Sequence, residues 1–144
     1  LWNRAGSAAR SIAIFEERAV YRGLEKAGIH GLEQASDHER LVFKLDPGLF
    51  DSAVSRGVEI LQVSSVDGPH ALVLGTKPYQ FLMRGMLEGG LLLSTRGGDH
   101  RLTVGQDFSV GYTDHDRDGV EFYLVESFTF VAEEPKAPIV FVLE

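Results

Sequence analysis

The run VEFYLVESFTFVA, Val120 to Ala132, restricts the fold more than any other stretch of the chain. It is rich in the Val, Leu and Phe side chains that suit a pleated strand. Val120, Phe122 and Leu124 alternate with Glu121, Tyr123 and Val125. Glu126, Phe128 and Phe130 then alternate with Ser127, Thr129 and Val131, a phase that makes one face more apolar than the other. From Leu91 onward the chain offers further strands in LLLST, HRLTV, DFSVGY and PIVFVLE, separated by the turn-forming clusters RGGD, DHDRDG and EEPKA. The C-terminal third therefore reads as sheet.

The N-terminal half reads differently. Trp2, Ala5, Ala9, Ile12, Phe15 and Ala19 recur at helical spacing, with Arg10, Glu16, Glu17 and Arg18 mostly on the other side, so a first helix with one core-facing stripe is expected to run to about Gly28. Asp46 before Pro47 marks a second helix. A capping side chain is followed by a residue whose missing N–H is not needed in the first turn, and Phe50, Ala53, Val54, Val58 and Leu61 form the apolar face behind it. DGPHALVLG is a turn leading into a short buried strand, His70 to Leu74, and KPYQFLMRG reads as a brief helix. The class is α+β. Leu1 is not an initiator methionine and helix begins almost at once, as if an earlier part were missing, so the chain reads either as a piece of a longer polypeptide or as a natural reduction.

Composition narrows the function. A chain of 144 residues makes one domain or a well-formed piece of one, with 44% hydrophobic residues and nine Phe to fill a core. No apolar run is long enough to span a bilayer. The net charge of −7 disfavours a nonspecific grip on nucleic acid, and the lack of cysteine removes thiolate chemistry and disulfides. With no secretory signal in these residues, a cytoplasmic location is expected.

Sites of chemistry are sparse. Asp114, Asp116, Asp118 and Gly119 imitate the start of a calcium loop, but the twelfth position, where a closing carboxylate must stand, is Val125. A solvated hairpin tip is the better reading. His30, His38, His70, His100 and His115 share no i, i+2 or i, i+4 pairing, so no metal site is expected. Nucleophile-elbow, Walker and dinucleotide-binding motifs are missing. Asp107, Ser109 and His115 do not make a hydrolytic triad, because the first two would share one face of a strand and leave the histidine elsewhere. No catalytic residue and no cofactor are expected.

Taken in order, FEERAVYRGLEKAGIHGL, DGPHALVLG and RGGDHRLTVGQDFSVGYTDHDRDGVEFYLVESFTF resemble the encapsulins, bacterial nanocompartment shell proteins once labelled linocin-type bacteriocins. The resemblance covers nearly the whole chain. It implies the Hong Kong 97 tailed-phage capsid fold, with residues 1–30 as the spine helix of a peripheral domain, 31–96 as part of an axial domain and 97–144 as peripheral-domain strands. Two family features, the N-terminal arm and the fivefold pore loop, have no counterpart in these residues.

The function so implied is that of a structural subunit, not an enzyme. Copies would close by heterologous contacts into an icosahedral homo-oligomer, in multiples of sixty, around a cargo enzyme such as a dye-decolourising peroxidase or a ferritin-like protein. A short cargo tail with Gly, Leu and basic residues would lie along GQDFSVGY. There Asp107 would meet a basic group, Phe108 and Val110 would supply apolar contact and Ser109 a hydroxyl, with the rest of the groove coming from the family's N-terminal helix. Alternation alone allows Phe108 and Val110 to be core residues instead. The competing function is the major capsid protein of a tailed phage or prophage, which shares the fold and encloses DNA.

Overall fold

Asp46 sets the start of a helix as its sequence requires. Its Oδ1 accepts hydrogen bonds from the Gly48 and Leu49 amides at 3.0 and 3.1 Å, and Pro47 opens the first turn of Pro47–Val63. The computed structural model describes residues 2–44, 46–75, 89–117 and 119–144. In chain order the elements are α1 (Trp2–Arg22), α2 (Leu32–Ala35), β1 (Leu41–Phe43), α3 (Pro47–Val63), β2 (His70–Leu74), β3 (Gly90–Ser94), β4 (His100–His115), β5 (Val120–Ala132) and β6 (Pro138–Leu143). The helix expected within KPYQFLMRG and the third aspartate of the calcium-like run, Asp118, lie outside the described residues.

The chain divides into two units, residues 1–31 with 101–131 and residues 32–100 with 132–144. The second is built around a four-stranded sheet in the order β1-β6-β3-β2. β1 runs parallel to β6, with Leu41 opposite Phe141, while β3 is antiparallel to both β6 and β2. β6 is central, and Pro138 to Phe141 are all buried, as a continuous apolar run flanked by strands on both sides should be. Residues 132–144 join 32–100 because PIVFVL finds its hydrogen-bond partners in β1 and β3.

α3 lies on this sheet through the face the spacing predicts. Phe50 and Leu61 are buried with Phe43, Val66, Leu92, Ala137, Ile139 and Phe141, while Ala53, Val54 and Val58 pack at the margin. Phe43 meets Phe50 and Phe141 edge-on, with ring centroids 5.4 and 6.2 Å apart. Gly57 permits the close approach, since a Cβ there would fall 3.0 Å from Leu92 Cδ2 and 3.1 Å from Phe141 Cζ.

The first unit is thinner. α1 ends at Arg22, short of the expected boundary at Gly28, because Gly23 takes a left-handed φ of 79° and its amide bonds the Ala19 carbonyl at 2.9 Å. Leu24 and Ile29 then form an isolated bridge around a single 3-10 turn. HRLTV and DFSVGY, read as separate strands, form the single strand β4, which pairs with β5 in a two-stranded ribbon. Phe15 of α1 meets Phe128 of β5 edge-on at 6.3 Å. Among the described residues the buried hydrophobic side chains of this unit are Ala19, Ile29 and Phe130.

Truncating the core should separate packing from capping. Leu61, fully buried, should lose about 2–5 kcal/mol on replacement by alanine. Asp46→Ala should lose only about 1 kcal/mol, the value of a helix cap. Urea denaturation of both variants checks the ratio.

Candidate functional site

The residues singled out in GQDFSVGY lie midway along β4, on the ribbon. Phe108 and Val110 are 43% and 63% exposed, so the core reading of this pair does not hold in the single chain. The exposure continues along both strands through Leu102, Val104, Tyr112, Val120, Phe122 and Tyr123, and Tyr112 meets Phe122 edge-on across the ribbon at 6.3 Å. Such a run of apolar side chains in water is typical of a surface awaiting a partner.

The polar members of the site are held locally. Asp107 Oδ1 accepts a hydrogen bond from the Phe108 amide at 2.7 Å, and Ser109 Oγ accepts one from Gln106 Nε2 at 2.9 Å. A regular strand sends side chains three apart to opposite faces. The Gln106–Ser109 bond therefore marks a local departure from the pleat at the centre of the candidate site. His115 Nδ1 pairs with the Tyr112 hydroxyl. The three residues weighed as a triad thus have different partners.

Electrostatics add a residue that sequence reasoning passed over. The Glu126 carboxyl is held above the usual carboxylate range, first by loss of solvent and then by the negative charges of Glu16 on α1 and Asp107 on β4. Glu16, Asp107 and Glu126 therefore form an acidic group beside the exposed apolar run. A signal was available, because alternation places Glu126 between Leu124 and Phe128 on the more apolar face of β5.

At the hairpin tip the calcium-like carboxylates are occupied by the turn. Asp116 Oδ1 accepts from the Gly119 amide at 2.9 Å, the Asp116 amide donates to the Gly119 carbonyl at 3.0 Å, and Asp114 Oδ1 accepts from the His115 amide at 2.8 Å. Among the described residues no three His, Asp or Glu side chains gather in a way that could hold a metal ion. No helix among them is long and apolar enough to cross a membrane.

Comparison with solved structures identifies the architecture first. The chain is similar to the virus-like particle protein from Pyrococcus furiosus, with a TM-score of 0.57 and 16% sequence identity, over 89% of this chain and 63% of that one. The expected α+β fold of the phage-capsid type is thereby established. The family model described as encapsulating protein for peroxidase, of the linocin M18 type, matches residues 1–89 and 84–129. Two type 1 encapsulin shell proteins are also similar. That of Rhodospirillum rubrum is 40% identical over 92% of this chain and 56% of its own length; that of Brevibacterium linens is 34% identical over 96% and 62%. The chain belongs to the encapsulin shell protein family. It spans somewhat over half the length of these relatives.

Because Phe108 and Val110 are exposed, Phe108→Ser and Val110→Ser should each change the urea-denaturation stability of the chain by no more than about 0.5 kcal/mol. A core pair would lose several times as much. Glu126→Gln should raise the melting temperature at neutral pH. A carboxyl whose pKa is raised on folding costs stability as pH rises above its ordinary, unfolded value, so the advantage should shrink away as pH falls below the ordinary value of 4.5, where the carboxyl is protonated in both states.

Proposed function

We propose that the chain is a wall subunit of an icosahedral protein shell in the cytoplasm that encloses a cargo enzyme, and that it has no bond-making centre of its own. One observation carries this reading: the long β4–β5 ribbon leaves its apolar side chains in water in the single chain. Burial of such a surface against further copies or against cargo would supply the driving force of assembly, at about 25 cal/mol per Å² of apolar area. Residues 1–31 and 101–131 would be the peripheral domain and residues 32–100 with 132–144 the axial one.

The cargo tail would lie across Asp107, Phe108, Ser109 and Val110. The exposed Phe108 and Val110 fit a leucine-bearing tail, and the acidic group of Asp107, Glu16 and Glu126 fits its basic residues. The family model's description as an encapsulating protein for peroxidase favours a peroxidase as that cargo, with a ferritin-like protein as the alternative. The net charge of −7 favours protein cargo over DNA.

The full-length protein, purified from its host, is to be examined by electron microscopy and light scattering, alone and with a fluorescent peptide carrying Gly, Leu and Lys or Arg. Closed hollow spheres and peptide binding that weakens at least tenfold in Asp107→Lys are expected. DNA-filled heads would assign the chain to phage capsids instead. A small monodisperse species in every native buffer would overturn the shell reading, and undiminished peptide binding by Asp107→Lys would overturn the cargo site alone.

A further inference from the structure

His100 is the first residue of β4, and both of its ring nitrogens are buried without a hydrogen-bond partner. Buried polar groups are nearly always paired, because an unpaired one forfeits its hydration. A neutral imidazole can bear that cost; an imidazolium, with two N–H donors and a full charge, bears a far larger one.

The backbone beside the ring is tied together. Arg96 Nε donates to both carboxylate oxygens of Asp99 at 3.2 and 3.1 Å, and Nη2 donates to Oδ1 at 2.9 Å. Arg96 Nη1 reaches the Ser65 carbonyl, just past the end of α3, at 2.9 Å. The Asp99 carbonyl accepts from the Glu133 and Glu134 amides at 2.8 and 3.1 Å, immediately after β5. The root of β4 is thus held to the exit of β5 and to the end of α3, and His100 adjoins Asp99 within this knot.

We propose that His100 is an acid-sensitive catch on the ribbon's root. Neutral, the half-buried ring keeps both nitrogens out of water and the knot stays closed; protonated, the ring is driven toward water and the strand ends at Asp99 and Glu133 come apart. This holds whatever the ribbon binds.

The surrounding charges do not cancel the effect. Asp99 attracts a proton to the ring, yet its carboxylate is engaged by the Arg96 cation and lies below the usual range because of it. Asp67 and Glu134 act on Arg96, and Glu133 is exposed. Burial outweighs the Asp99 attraction and holds the imidazole below its ordinary value of 6.5. The unfolded chain takes up the proton first, so stability falls as pH drops through about 6.5 and levels off once the folded ring is also charged.

Amide hydrogen exchange at Glu133 and Glu134, corrected for intrinsic rates, should be compared at about pH 7.5 and about pH 5 in the 144-residue chain and in His100→Phe. Protection in the native chain should fall several-fold, to a limit of about thirty-fold set by an unfolded pKa near 6.5. The variant, which keeps the other four histidines, should change by less than about twofold. Equal losses in both proteins would overturn the proposal. Should His100→Phe fail to fold, imidazole NMR titration of the native chain decides the matter. A His100 midpoint below the ordinary value, shared by the Glu133 and Glu134 amide shifts, supports the catch. A midpoint at or above the ordinary value, or amide shifts that ignore it, overturns it.

Discussion

A two-stranded antiparallel ribbon has two faces and two edges, and a single helix can cover only part of one face. That constraint governs the first unit of this protein. α1 contributes Phe15 against Phe128 and buries Ala19, while Phe108, Val110, Tyr112 and Phe122 stay in water. Isolated ribbons are marginal, and long apolar edge strands are templates for further pairing.

The second unit stands in contrast. Its sheet has one face sealed by α3, its central strand is buried on both sides, and Gly57 lets helix and sheet approach closely. Polar side chains before β1 are tied to the backbone at the start of β6. Ser36 Oγ donates to the Pro138 carbonyl at 2.8 Å, and His38 Nε2 to the Lys136 carbonyl at 2.8 Å. One unit therefore closes on itself, while the other leaves apolar side chains in water. Its capsid-type fold persists at 16% identity to a distant particle protein, as expected when pattern and volume, more than individual residues, specify a core.

The candidate site was only partly legible. Asp107, Phe108, Ser109 and Val110 could be placed on a strand by alternation, but alternation is blind to whether a face meets core or water. The Gln106–Ser109 bond was not foreseeable, because a departure from the pleat has no period. Glu126 was foreseeable as the charge on an apolar face, though its link to Glu16 depends on how α1 meets the ribbon.

By itself the sequence determined the local choices: Asp46 and Pro47 as a helix start, the apolar face of α3, turns at Arg96–Asp99 and Asp116–Gly119, and strands wherever Val, Leu and Phe crowd. These follow from near-neighbour sterics and hydrogen bonding, which residue type encodes directly. Only the tertiary structure decided that PIVFVL leaves the ribbon's company to become the centre of the other sheet. It also decided that His100 loses water without gaining a partner. Each of these depends on which distant segment arrives alongside, and competition among many similar apolar runs is settled by the packing of the whole chain.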